Sequence, residues 1–313
     1  MSKPPLAIGI DFGGTSVKTG VVLGTEIIDQ APPISTQAFE SPEALIKTIV
    51  RAVEDLRARH PDIAAVGVGM PGFVDFGKGV VINLTNVRGW VNIPLRDILS
   101  KELNLPVAAD NDANCMAFAE WKLGAGKGFE HLVCAALGTG VGGGIIVNGA
   151  MVRGGAFGAG EIGQTSIDYR GRKGHYGNLG ALEDYIGNQE IAQDARVAYA
   201  AAGITRDIED CSPAALSEAA RKGDPIALAR WEFIGRVLAT SMMNVCWLLN
   251  PQALVIGGGV ARAGDLLFNP FREHLLRQLS GPFSDGLAIL PAAFGHEAGT
   301  IGAAALALHE AGL

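Results

Sequence analysis

The chain is short of cysteine, of aromatic side chains and of charge clustered by sign. Its four cysteines, Cys115, Cys134, Cys211 and Cys246, lie 19, 77 and 35 residues apart. That spacing offers neither a CxxC metal knuckle nor a dense disulfide framework, so they read as reduced thiols. Aromatic residues make up 6% of the chain and charged residues 18%, with 25 Lys and Arg against 32 Asp and Glu, a net charge of -7, and no basic block. This balance argues against a nucleic-acid face or a polybasic membrane patch, and leaves any phosphate site to local backbone donors. Long apolar runs are missing too. The run at residues 6–10 ends at Asp11 and is too short for a signal peptide. The greasiest segment, residues 237–249, is interrupted by Thr240, Ser241 and Asn244, and falls short of the roughly 18 residues of a membrane span. A soluble, cytoplasmic protein is expected. The P-loop pattern GxxxxGK[ST] does not occur.

Glycine is plentiful, with 43 in 313 residues, and 48% of the chain is hydrophobic. Single cores stop growing near this length, so two lobes are expected. Strands at residues 7–10 and 17–23 flank a polar tip, Asp11-Phe12-Gly13-Gly14-Thr15, as in a hairpin. Ser41-Pro42 opens a helix with Leu45, Ile49, Val53 and Leu56 at helical spacing. A buried strand at residues 63–69 runs into Met70-Pro71-Gly72, and a helix over 95–103 leads to a strand at 106–109. Asp110-Asn111-Asp112 follows, just before a helix over 113–123. From His131 the opening pattern repeats: strand 132–137, tip Gly138-Thr139-Gly140-Val141-Gly142-Gly143, strand 144–147. The repetition implies an internal duplication, hence two similar α/β lobes facing each other. Beyond it the chain reads as mostly helical, with an apolar helix over 224–249, a strand at 254–256 ending in Gly257-Gly258-Gly259, and a small-residue helix over 299–310.

Gly13 and Gly14 let the backbone approach an anion, Thr15 adds a hydroxyl, and Asp11 suits hydrated Mg²⁺, which keeps its waters and takes few carboxylates. In isolation the same residues make an ordinary turn with positive φ at Gly13 or Gly14. The matching donors at Gly138-Thr139-Gly140 favour a two-sided phosphate clamp. Gly138, Gly140 and Gly143 also satisfy GxGxxG, but a dinucleotide fingerprint needs a helix after it. Gly144-Ile145-Ile146-Val147 reads as strand, which ranks a dehydrogenase well below a kinase. Gly257-Gly258-Gly259 suits close approach of an adenosine and its phosphates, or is a tight strand-to-helix turn.

Taken in order, Asp11-Phe12-Gly13-Gly14-Thr15-Ser16-Val17-Lys18, Asn86 before Gly89-Trp90, Asn111-Asp112-Ala113-Asn114, residues 137–144 and Gly160-Glu161-Ile162-Gly163 resemble the ROK-family sugar kinases, bacterial glucokinases especially. The resemblance covers essentially the whole chain, and its specificity lies in the ordered set. It implies an actin-like, ribonuclease-H-like ATPase fold of two α/β lobes with a cleft that closes over a hexose and Mg·ATP. The smaller lobe is expected at 1–114 plus 297–313, the larger at 115–296. The resemblance assigns Asp112 as the base that takes the proton of the sugar 6-hydroxyl, a role phosphoryl transfer calls for. It places Gly72, Asn86, Asn111, Asp112, Glu161, Gln164 and Glu183 at the sugar. Asp11, Gly13, Gly14, Thr15, Lys18, Gly138, Thr139, Gly140 and Gly258 fall at the nucleotide, with Asp11 toward Mg²⁺. Plainer readings stand beside these: Asp112 as a helix cap, Glu183 as a first-turn carboxylate, Glu161 as a solvated loop charge.

Many family members hold a structural zinc with a His after Glu-Ile-Gly and three Cys in a CxCGxxGCxE segment. Here those positions are Gln164, Gly174, Tyr176 and Ala181, so no zinc is expected, and the loop is expected to be supported by packing around Tyr176 and Leu179. His175 reads as a surface residue. Gln164 can replace a histidine's hydrogen bond to the sugar but not its charge, which leaves the acceptor open among glucose, fructose, mannose and N-acetylhexosamines. Polyphosphate is the rival donor. The family also contains sugar-sensing repressors with a winged helix-turn-helix domain ahead of the kinase-like body. Six residues before the first strand leave no room for one, so the rival class is a non-catalytic sugar sensor. No nucleic-acid or membrane partner is expected; a homodimer is, with the helix over 224–249 serving core or interface.

Overall fold

The computed structural model describes residues 4–84, 89–174 and 176–313. The chain divides into two compact units, one of Met1–Gly128, Met151–Ala159 and His296–Leu313, the other of Phe129–Ala150 and Gly160–Gly295. In the first, β1 (Leu6–Phe12) and β2 (Ser16–Leu23) pair antiparallel from Leu6↔Leu23 to Phe12↔Val17. β3 (Glu26–Gln30) and β4 (Ile34–Ser35) both pair with β2. α1 (Pro42–Arg59) begins where Ser41 Oγ accepts the Ala44 N–H and Pro42 occupies a first-turn position that needs no donor. Its Leu45, Ile49, Val53 and Leu56 are buried, as the helical spacing predicts. β5 (Ile63–Met70) lies parallel to β1. β6 (Phe73–Asp75), β7 (Val80–Asn83) and β8 (Val91–Ile93) form a small sheet of their own. After α2 (Leu95–Leu103), β9 (Val107–Asn111) lies parallel to β5, and α3 (Asp112–Lys122) follows at once.

In the second unit β10 (Leu132–Leu137) and β11 (Val141–Val147) pair antiparallel from Leu132↔Ile146 to Leu137↔Val141. The chain passes through the short β12 (Ala150–Val152), whose Met151 and Val152 belong to the first unit, and the second unit resumes with α4 (Glu183–Ile186), α5 (Asn188–Ala201), α6 (Pro213–Arg221) and α7 (Pro225–Leu249). β13 (Ala253–Gly257) then lies parallel to β10. After α8 (Asp265–Gln278) and α9 (Gly281–Ser284), β14 (Ala288–Pro291) lies parallel to β13. Thus β2-β1-β5-β9 and β11-β10-β13-β14 run through the same sequence of senses, antiparallel then parallel twice. The duplication read from the two glycine tips is present in the strand pairing. α7 is a core helix for most of its length: Trp231, Ile234, Leu238 and Met242 are buried, while Leu228 in its first turn and Trp247 and Leu248 in its last are exposed.

α10 (Ala298–Glu310) closes the first unit. It is built of small residues because it lies directly on the sheet: a Cβ at Gly9 or Gly67 would fall on the backbone of Thr300 or Ala303. α3 packs against α10, so the division falls after Gly128 and not after residue 114. A second correction concerns residues 165–182. Tyr176 and Leu179 are 73% and 45% exposed, so packing around them does not support the loop. Hydrogen bonds do: Ser166 Oγ donates to Leu179 O (2.7 Å), Asn178 Nδ2 to Gln164 O (2.8 Å), and Ile167 N–H to Gly180 O (2.8 Å). A glycine-rich segment has few apolar side chains to bury, and its backbone polar groups pair with one another instead. Among the described residues no group of three or more His, Cys, Asp or Glu is arranged around a metal position, and no helix is long and apolar enough to cross a membrane.

Candidate active site

At the β1–β2 tip, Gly13 N–H donates to Ser16 O (2.9 Å), and Thr36 Oγ1 donates to Gly14 O (2.8 Å). Neither Gly13 nor Gly14 takes a positive φ, so the turn's dihedrals do not require glycine. The positive-φ explanation therefore falls; a Cβ on Gly13 would still lie 3.0 Å from Ser16 O of its own turn, and the two glycines leave bare backbone beside the exposed Thr15. Asp11 lies near the end of β1 against the start of α10; a Cβ on Gly299 would come within 2.9 Å of its carboxyl. Burial pushes the Asp11 carboxyl above the usual aspartate range, and Lys18, whose Nζ is 4.0 Å away, pulls it back.

At the junction of β9 and α3, Asn111 Oδ1 accepts the N–H groups of Ala113 (2.9 Å) and Asn114 (3.1 Å), while its Nδ2 donates to Gly72 O (3.0 Å). Asn111 is thus the N-cap and Asp112 the first helical residue, with Oδ1 accepting from Ala113 N–H (2.8 Å). The cap reading of Asp112 is corrected by this geometry. With both lone pairs of Oδ1 and one Nδ2 hydrogen in use, Asn111 has a single N–H to offer a ligand. Asp110, only 2% exposed, accepts Asn111 N–H and Asn114 Nδ2 on Oδ1 and is paired through Oδ2 with Arg153 at 2.8 Å. The Arg153 guanidinium stacks 3.5 Å over the Phe76 ring. Sequence reasoning misses Arg153, which stands 43 residues from its partner with no local signal beyond opening a glycine-rich stretch. Burial raises the Cys115 thiol pKa, and the negative charges of Asp110, Asp112 and Asp11 add to the rise against an opposing pull from Arg153.

In the second unit, Gly138 N–H donates to Gly140 O and Gly138 O accepts Asn188 N–H, both at 2.9 Å. β11 follows directly, so the GxGxxG run has a strand after it and the dinucleotide reading falls. Glu183, at the start of α4, reaches this tip. Its Oε2 accepts Val141 N–H (2.8 Å), its Oε1 accepts from Gln164 Nε2 (3.2 Å), and the carboxylate occupies the place a Cβ on Gly140 would take. Gly140, Gln164 and Glu183 are thereby brought together. Glu161 keeps an exposed face; crowding of its carboxyl by neighbouring atoms raises its pKa, and the charge of Glu183 adds a smaller rise. Asn86 and His175 lie outside the described residues.

The ROK family profile matches residues 7–310. The chain belongs to the ROK family. The glucokinase of Streptomyces coelicolor is 34% identical to this ROK protein, across 96% of this chain and 97% of that one. The crystal structure of a ROK family glucokinase from Streptomyces griseus in complex with glucose and AMPPNP matches with a TM-score of 0.81 at 31% identity, covering 97% of this chain and 99% of that one. The xylose repressor of Bacillus spizizenii is 25% identical across 98% of this chain and 78% of the repressor. The fold is the actin-like ATPase fold of the ROK sugar kinases.

In this ROK protein Gly258 has φ +89°, and a Cβ there would fall on the Leu137 backbone, one residue before the Gly138 tip. Dihedral and space both demand glycine. Gly258→Ala is expected to lower stability by about 1–3 kcal/mol, seen as a drop in Tm. Gly259→Ala is the control: its φ is -62° and its Cβ would meet open space, so Tm stays at the wild-type value.

Proposed function

We propose that this ROK protein transfers the γ-phosphoryl group of ATP to the 6-hydroxyl of a hexose, glucose before others. The observation that carries the reading is Asp112 at the start of α3, with the capping duty taken by Asn111, whose amide is held on Gly72 O at 3.0 Å. The glucokinase relatives support glucose and ATP as the substrate pair. Asp112 accepts the hydroxyl proton as an O6 lone pair forms the bond to the γ-phosphorus. The bond from that phosphorus to the β,γ-bridging oxygen breaks, and its electron pair leaves on ADP.

Gly13 and Gly138 give their N–H groups to their own turns. The donors for phosphate oxygens are then the backbones of Gly14, Thr15, Thr139 and Gly140 and the two threonine hydroxyls, with Lys18 adding charge. Gly258 leaves room on the adenosine side. Around the hexose, Asn111 donates its one remaining N–H, Glu161 and Glu183 accept, Gln164 orients Glu183, and Gly72 and Asn86 complete the set. Asp11 fits a hydrated Mg²⁺, because the charge of its half-buried carboxylate is met, among the described residues, by Lys18 at 4.0 Å. Bound with the nucleotide, Mg²⁺ neutralises phosphate charge.

The reading is tested by a panel of hexoses and donors with ADP or phosphate detection. Glucose with Mg·ATP is expected to give the highest kcat/KM, ahead of fructose, mannose, N-acetylhexosamines and polyphosphate. Because Gln164, Gly174, Tyr176 and Ala181 supply no thiolate or imidazole, a zinc-selective chelator with excess Mg²⁺ is expected to leave the rate unchanged, and elemental analysis to find no stoichiometric zinc. Hexose binding without phosphoryl transfer at saturating Mg·ATP would instead make the protein a sugar sensor. A cytoplasmic homodimer belongs to the same reading. Leu248, 82% exposed beside Trp247, is apolar surface for a second copy, and light scattering reads the mass.

A further inference from the structure

Residues 165–182 join Gln164 to Glu183, whose side chains meet at 3.2 Å. Among its described residues the segment has only the isolated bridges Ser166↔Ala181 and Lys173↔Leu179, and Tyr169, Tyr176 and Leu179 are exposed. Ordering a loop with so little core costs roughly 1–2 kcal/mol of backbone entropy per residue, so its anchors matter. One residue recurs among them. Arg172 N–H donates to Tyr185 Oη (3.1 Å), and Arg172 O accepts Gly180 N–H (2.7 Å). Its guanidinium donates to Asp184 O (3.0 Å) and to both Asp194 oxygens (2.9 and 2.8 Å), and lies 4.6 Å from the Tyr185 ring centroid. Asp194, on α5, also accepts from Arg230 of α7 at 3.0 Å. Arg172 therefore ties the loop to α4 and α5, and through Asp194 to α7. Glu183 is the first residue of α4, next in sequence to the carbonyl Arg172 holds.

We infer that Arg172 is a positioning residue for hexose binding: without entering the site, it holds α4 and the loop so that Glu183 stays on Val141 N–H and Gln164. The inference rests on the sugar-kinase reading above and names a determinant of its sugar side. Arg172 is 43% exposed and Asp194 keeps its bond from Arg230 when Arg172 is lost, so little global stability is at stake and the effect is local.

Arg172→Met keeps an unbranched stem over Tyr185 and removes the donors. The expected result is a glucose KM raised about tenfold, the loss of a charge-assisted bond, with kcat and the KM for ATP within about twofold of wild type. Hydrogen exchange at the Val141 amide, read by mass spectrometry or NMR, is expected to accelerate as Glu183 loosens. Arg172→Lys, a cation without the planar fork, restores part of the glucose KM. Wild-type glucose KM and wild-type exchange in Arg172→Met would overturn the inference. So would a joint change in both KM values and kcat with a lower Tm, the mark of a merely structural role. A wild-type protein inert toward every hexose overturns the kinase reading and this inference with it, whereas an active wild type matched by Arg172→Met overturns the inference alone.

Discussion

Asp112→Asn is expected to lower kcat for glucose phosphorylation by about 10²–10⁴-fold, the usual contribution of a positioned general base, the role proposed for Asp112. The amide keeps an oxygen that can accept the Ala113 N–H now received by Asp112 Oδ1 at 2.8 Å, so the first turn of α3 stays in place. It can still hydrogen-bond the sugar hydroxyl, but it cannot take the proton. Glucose KM is therefore expected to move little, and the loss falls on kcat and kcat/KM together. Removing a carboxylate from the first turn also removes its interaction with the helix dipole, a cost of about 0.3–1 kcal/mol. Tm should shift by a few degrees at most, which separates the catalytic loss from unfolding. Steady-state kinetics with glucose varied at saturating Mg·ATP measures the effect, and a kcat near the wild-type value would remove Asp112 from its role.

What makes Asp112 the candidate was partly legible in the chain and partly not. The strand, the triplet Asp110-Asn111-Asp112 and the helix after it follow from local pattern, since alternation, caps and glycine tips act over a few residues. Ser41-Pro42 and Asp224-Pro225 start α1 and α7 for the same reason. The assignment of the cap to Asn111 over Asp112 was not legible, because both are good capping residues and the choice depends on Gly72 O holding the Asn111 amide from 39 residues away. β3 and the sheet of β6, β7 and β8 are not legible in the sequence for a related reason. They are short strands with little burial pattern of their own, ordered by partners elsewhere in the chain. The support of residues 165–182 does not follow from local pattern: Tyr176 and Leu179 are apolar enough to suggest a small core, yet both are exposed and hydrogen bonds hold the segment instead. Glycine tips could be matched to each other by sequence, but the third glycine turn is tied to them only by the Gly258 approach to Leu137, which the parallel pairing of β10 and β13 brings about.

The pair of Asp110 and Arg153 carries the largest expected stability effect. Asp110 is almost fully buried, and its Oδ2 accepts both Arg153 Nε at 2.9 Å and a terminal guanidinium nitrogen at 2.8 Å. Arg153→Leu leaves the two hydrogen bonds from Asn111 N–H and Asn114 Nδ2 to Oδ1 but no countercharge, and it also removes the stack on Phe76. A buried charge stranded in this way costs about 3–5 kcal/mol, a large share of a domain's stability. Urea unfolding should show a lower midpoint with an unchanged m-value. The double variant Asp110→Asn, Arg153→Leu tests the cause. A neutral amide at position 110 keeps an oxygen for Asn111 and Asn114, and no charge remains to be compensated, so part of the lost stability should return. If the double variant is less stable than Arg153→Leu alone, the loss comes from the missing guanidinium packing and not from the stranded carboxylate. Because Asp110 immediately precedes Asn111 and Asp112, the same pair fixes the end of β9 from which the proposed base projects, so the Arg153→Leu protein should also show a reduced kcat at temperatures where it remains folded.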